Sequence, residues 1–162
     1  MSSPTIKVVL VAYPDSFSID EAKNLVESAA HTTITAKPAR TSYGYQIIRT
    51  FAQKYLNHSK YGIGSGKAEE IKEFVRESKS DKIMVDEHLT SKQIHNLEKL
   101  THVPVIDRER LILDIFNSRA TTTEAKLQIQ LAEIKYEMPR VRESAKLTPG
   151  SRERPGKGGM GE

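Results

Sequence analysis

The segment Tyr61-Gly-Ile-Gly-Ser-Gly-Lys67 sets three glycines and a lysine at the mouth of a predicted helix. Glycine lets backbone approach a phosphate. A helix N-terminus adds unpaired N–H groups and the positive end of the helix dipole. Gly62, Gly64, Gly66 and Lys67 are therefore candidates for phosphate binding. The segment is not a P-loop, because G-x-x-x-x-G-K-[ST] needs glycine at 61 and Ser/Thr at 68, where this chain has Tyr61 and Ala68. The pattern G-x-G-x-x-G fails at Lys67. A tight glycine turn that sets the helix angle accounts for the same residues.

Asp86-Glu87-His88 follows a predicted strand, Lys82–Val85, at the edge where open α/β sheets place ligands. Two carboxylates and an imidazole could bind a metal or move protons. Neighbours on an extended strand point to opposite faces, so the three do not converge without a turn. A solvated loop feeding a helix cap is the simpler expectation. The remaining histidines show no metal-ligand spacing, and no G-x-S-x-G element occurs. No residue is assigned a catalytic or metal-binding role.

The third candidate is cationic. Residues 139–162 carry Arg140, Arg142, Lys146, Arg152, Arg154 and Lys157 against Glu143, Glu153 and Glu162. The rest of the chain is nearly neutral, with 19 basic and 18 acidic residues. Arginine makes bidentate contacts to phosphate, and Gly156, Gly158, Gly159 and Gly161 allow backbone to enter narrow sites. No aromatics are interleaved, so phosphate contact rather than base stacking is the expected mode. A solvated tail with no ligand has the same composition.

These residues need a frame. Over 162 residues, 37% are apolar and 28% charged, which suits a small core carrying a solvated appendage. The absence of cysteine excludes disulfides, thiol nucleophiles and Cys-based metal sites. No apolar run reaches the ~20 residues of a membrane span, and no signal-peptide pattern opens the chain. A cytoplasmic location is expected.

Thr5–Tyr13 is a predicted strand buried on both faces, ended by Pro14. Ser18 and Glu21 suggest a capping box for a helix with Ala22, Leu25, Val26 and Ala29 inward. Thr32–Ala36 is a predicted second strand. The spacing of Ile47, Ile48, Phe51, Tyr55 and Leu56 predicts a helix from Gln46. A helix with Ala68, Ile71, Phe74 and Val75 inward follows the glycine loop. Beyond Lys82–Val85, Thr90 or Ser91 caps a helix that buries Ile94, Leu97 and Leu100. Val103–Ile106 is another strand, and Arg108–Arg119 a helix with Leu111, Ile112, Ile115 and Phe116 inward.

Alternating strands and helices argue for a parallel sheet, because parallel neighbours need crossovers. The expected organisation is an α/β subdomain over 1–120, a long helix over 121–149 and a flexible basic, glycine-rich loop over 150–162. The long helix carries one stripe of Leu127, Leu131, Ile134 and Met138, and beside it a second of Ala125, Ile129, Ala132 and Tyr136, which together predict a broad apolar face. It calls for a partner, most simply in an antiparallel helical hairpin. Pro139 either bends or ends it.

Several stretches resemble the HflX family of ribosome-associated GTPases. They are Val105-Ile-Asp-Arg-Glu-Arg-Leu-Ile-Leu-Asp-Ile-Phe116, Arg119-Ala-Thr121, Glu124-Ala-Lys-Leu-Gln-Ile-Gln-Leu-Ala132, Tyr136 and Pro139-Arg140. Val85-Asp-Glu-His-Leu89, Asn96-Leu-Glu98, Tyr61–Lys67 with Glu69-Glu-Ile71, and Gly156–Glu162 are similar to the same family. The likeness spans roughly residues 60–162.

The resemblance implies an α/β subdomain followed by a two-helix arm, whose tip reaches the large ribosomal subunit and its rRNA. It also implies a GTPase domain, which would bind GTP with magnesium and pack as a further partner of this region. The second arm helix and the GTPase motifs do not occur among these residues, so this sequence is expected to be a piece of a longer one. GTP hydrolysis is assigned to none of its residues, and the region itself is expected to hold no cofactor. Two other readings stay open. One is a small α/β protein that binds a nucleotide or metabolite through Gly62–Lys67. The other is a structural unit whose apolar helix face drives self-association.

Overall fold

A computed structural model describes residues 5–29 and 44–147. Its elements are β1 (Thr5–Ala12), α1 (Ser16–Ala29), β2 (Gly44–Ala52), α2 (Ser65–Ser78), β3 (Lys82–Val85), α3 (Ser91–Thr101), β4 (Val105–Asp107), α4 (Arg108–Arg119) and α5 (Thr123–Leu147). The four strands form one sheet in the order β2-β1-β3-β4, with every neighbouring pair parallel.

The period of two along β1 builds two cores. Val9 and Val11 meet Phe51, Ala68, Ile71, Val75, Ile94 and Leu97 under α2 and α3. Val8, Leu10 and Ala12 meet Ala22, Val26, Met84, Leu111 and Ile115 under α1 and α4. Helices thus cover both faces of a buried parallel sheet, the architecture that an apolar strand such as β1 demands.

One element differs from expectation in kind. Residues from Gln46 form no helix; Gly44–Ala52 is strand β2. Its pairing with β1 slips by one residue between Val8, opposite Ile47, and Val9, opposite Arg49. Ile48 is the extra residue. Ile47 packs toward the α1 side, while Ile48 and Phe51 pack toward the α2 side. A strand that changes face through a bulge places apolar residues at i, i+1 and i+4, which imitates helical spacing. The expected strand Thr32–Ala36 lies outside the described residues.

Smaller differences follow the same packing logic. α1 begins at Ser16, so Ser18 and Glu21 lie within it rather than capping it. Glu21 accepts instead from Arg108 at 2.9 Å. α4 turns Leu111 and Ile115 inward, but Phe116, 100° further round, is 56% exposed. β4 starts at Val105 rather than Val103, after Pro104, whose carbonyl accepts from the Ile83 N–H. The helix cap is Thr90, in a reciprocal capping box with Gln93.

α5 continues through Pro139 to Leu147. It runs back along α4 after the short turn Ala120–Thr122 and reaches α3. Its first partner is therefore the preceding helix. The two apolar stripes do not lie side by side as one broad face; at 100° per residue they fall on opposite sides of the helix. Ala125, Ile129 and Ala132 are half-buried and Tyr136 is buried toward the base. Leu127, Leu131, Ile134, Met138 and Val141 are between 45% and 66% exposed.

Candidate nucleic-acid interface and the sheet edge behind it

The glycine loop is built mainly by packing. His58 and Gly62 form a two-way backbone bridge, and α3 holds the turn through Gln93 to the His58 carbonyl and Asn96 to the Lys60 carbonyl, each 2.8 Å. Gly62 has φ +75°, and a Cβ there would stand 2.4 Å from the Leu89 side chain. Any side chain there is strained and must displace Leu89. Gly64 precedes α2 with no side chain capping it, and a Cβ on Gly66 would meet nothing within 4 Å. Lys67 Nζ donates to Glu70 at 3.0 Å. The start of α2 thus leaves its first N–H groups without a side-chain cap, beside Lys67, and a Cβ on Gly64 would stand 3.8 Å from the Gln53 and His58 side chains.

The carboxyl ends of the strands gather a different group. Asp86 is buried, accepts from Arg108 at 3.1 Å through Oδ1, and leaves Oδ2 without a hydrogen bond. Burial pushes its carboxyl above the usual range, against the pull of Arg108. Glu87 turns the other way and accepts from the Tyr13 hydroxyl at 2.5 Å. That hydrogen bond, with burial, raises the phenol to about 12.

His88 leaves both neighbours and meets Glu109 at 2.8 Å and Asp107 at 3.9 Å. As expected, Asp86, Glu87 and His88 do not converge. His88, Asp107 and Glu109 do bring ligand atoms within 4.8 Å of one another. Asp107, however, already accepts from the Leu89 N–H, the Arg110 N–H and the Tyr136 hydroxyl, with Arg140 at 3.7 Å. A carboxylate so occupied and so close to a guanidinium is a poor cation ligand.

The basic candidates separate. Arg140 is half-buried, with its guanidinium 3.8 Å from the Tyr136 ring centroid and hydrogen-bonded to the Tyr136 hydroxyl. Burial lowers its pKa, and Asp107 opposes that shift. Arg142 and Lys146, four residues apart, are exposed near the end of α5. Arg152, Arg154, Lys157, Gly156, Gly158, Gly159 and Gly161 lie outside the described residues. Sequence reasoning passed over Asp107 as a junction. Its signal was the N-cap position before Arg108–Arg119, with Tyr136 at the centre of the second α5 stripe.

Residues 16–117 match the family described as GTP-binding GTPase N-terminal, and residues 119–162 match GTP-binding GTPase Middle Region. GTPase HflX of Thermococcus kodakarensis is 42% identical over 121 residues, covering 75% of this chain and 27% of that protein. The Methanocaldococcus jannaschii GTPase HflX is 42% identical over 118 residues, covering 73% and 29%. The chain thus spans under a third of the length of these relatives.

Among solved structures, a GTP-binding protein from Sulfolobus solfataricus in complex with GDP superposes with a TM-score of 0.64 at 25% identity, covering 88% of this chain and 40% of that one. An SsGBP and GDP complex gives 0.65 at 25% identity, covering 89% and 38%. No helix among the described residues is long and apolar enough to cross a membrane. From the matched families and the shared fold, this chain belongs to the HflX family of GTP-binding GTPases and corresponds to their N-terminal and middle regions.

Proposed function

We propose that this chain is the part of an HflX-type GTPase that binds the large ribosomal subunit, with the basic end of α5 and the residues after it contacting rRNA phosphates. The α/β unit is the base and α5 the first limb of an arm. One observation carries the reading. α5 is fastened along one side only, its opposite apolar side stays open for a second limb, and it leads through exposed Arg142 and Lys146 into the basic segment. Arg140 anchors the helix, so Arg142, Lys146, Arg152, Arg154 and Lys157 are the phosphate contacts proper. A cytoplasmic location follows from the ribosomal partner.

GTP and magnesium belong, on this reading, to the remainder of a longer protein. The residues present do not fit a P-loop, because Tyr61 and Ala68 depart from its pattern. The test is binding to purified large subunits by the wild type and by a variant carrying Arg152→Glu and Arg154→Glu. Charge reversal is expected to weaken binding at least tenfold at low salt, the scale of a few lost phosphate contacts. Equal affinity would remove the rRNA assignment.

The start of α2, uncapped and beside Lys67, favours a second reading in which Gly64–Lys67 binds a nucleotide phosphate. Calorimetry with GTP and ATP separates the two. Binding that Lys67→Ala abolishes would favour the second.

A further inference from the structure

α5 is held to the base at one buried point. Among its described side chains only Tyr136 is buried. The Tyr136 hydroxyl donates to Asp107 Oδ1 at 2.6 Å, and the Asp107 side chain is wholly buried. One turn later Arg140 stacks on the Tyr136 ring and approaches Asp107 Oδ2 at 3.7 Å. The ion pairs from Arg110 add little. Arg110 reaches Glu137 at 3.0 Å and Glu133 at 3.9 Å, with Glu137 exposed, and such pairs contribute little. Ala125, Ile129 and Ala132 also lie on the docked side, none of them buried.

Beside this contact the packing is open. A cavity of about 310 Å³ lies between the β3–α3 loop and α5, lined by His88, Ser91, Pro139, Arg140 and Glu143 among others. Asp107 also holds that loop, through the Leu89 N–H at 3.1 Å, and caps α4 through the Arg110 N–H at 3.0 Å. One carboxylate therefore positions the loop, the start of α4 and the long helix together. Only the last is joined to the rest by a three-residue turn, Ala120–Thr122.

We propose that Asp107 is a latch that positions the arm, with Tyr136 and Arg140 as the groups it holds. Engaged, α5 lies on the base. Released, α5 swings about Ala120–Thr122 and carries its basic end away from α3. The effect on RNA rests on the function proposed above; the movement itself does not.

The chain has no cysteine, so spin labels can be placed singly and cleanly. Glu77→Cys on α2 and Ala145→Cys on α5 are both at exposed positions. The distance between the labels is measured by pulsed electron spin resonance in the full chain, without RNA. Residue 145 stands about 35 Å along α5 from the turn, so a rotation of roughly 20° moves it by about 12 Å.

The latched protein is expected to give one distance. Tyr136→Phe, which removes only the hydroxyl, is expected to shift part of the population to a longer one while the melting temperature of the base stays unchanged. Arg140→Ala is expected to do the same to a smaller degree. An unchanged single distance in both variants overturns the latch. So does loss of the base's own folding in Tyr136→Phe, since the contact would then belong to the core. Because no RNA is present, neither result touches the rRNA reading, and a failure of RNA binding leaves the distances as they are.

Discussion

Asp86 shows how a single carboxylate at this sheet edge acts on stability. Its side chain is buried, one oxygen is paired with Arg108, and the other has no hydrogen bond. Desolvation raises its pKa more than Arg108 lowers it. A carboxyl whose folded value lies above its unfolded value is stabilised by folding in its protonated form. That contribution is complete below the ordinary value of about 4 and is lost as pH rises through the raised value. Asn at this position does not titrate. The stability of Asp86→Asn relative to the wild type should therefore improve between about pH 4 and neutrality. Asp114 is raised by burial too, but it is common to both proteins and cancels in the difference. Urea midpoints at the two pH values give the comparison, and a constant difference would show that burial does not control this group.

At the scale of elements, legibility depended on phase. β3, α3 and α4 were readable as elements from their apolar runs and spacing, and Thr90 was one of the two residues expected to cap α3. β2 was not, because the slip at Ile48 breaks the alternation a strand is recognised by. In α5 both stripes were visible, but periodicity alone cannot say which one faces the base. The structure turns Ala125, Ile129, Ala132 and Tyr136 inward, since small residues allow close approach to α4 and Tyr136 can reach Asp107.

Leu127, Leu131, Ile134, Met138 and Val141 are left as an open seam at alternating four- and three-residue steps, the spacing of a helix–helix interface. Leu131→Asp combined with Ile134→Asp should change the melting stability of the base by no more than about 0.5 kcal/mol per site, as surface changes do. It should also abolish binding of a hydrophobic dye to the helix. Strong destabilisation would mean that the seam is already covered.

Across the whole molecule, charge is divided by position. Glu21, Asp86, Glu87, Asp107 and Glu109 gather at the strand ends, countered by Arg108 and, at Asp107, by Arg140, while the remaining basic excess lies beyond Arg140. On the proposed function, such a division of charge directs phosphate to the segment beyond Arg140 rather than to the sheet edge. None of this could be read from net charge, which is only +4. If Arg142, Lys146, Arg152, Arg154 and Lys157 each neutralise a phosphate, counterion release sets the salt dependence. The logarithm of affinity should fall with the logarithm of salt at a slope of roughly −3.5 to −4.5. Ending the chain at Leu147 removes Arg152, Arg154 and Lys157, and should reduce the slope by about 2 to 3. Reversing Lys72 and Lys79 on the base should leave it unaltered, because those residues sit in the neutral part of the chain. Titrations of large subunits between about 50 and 200 mM salt span the range where the difference is readable. Parallel lines for the full and shortened chains would mean that Arg152, Arg154 and Lys157 neutralise no phosphate.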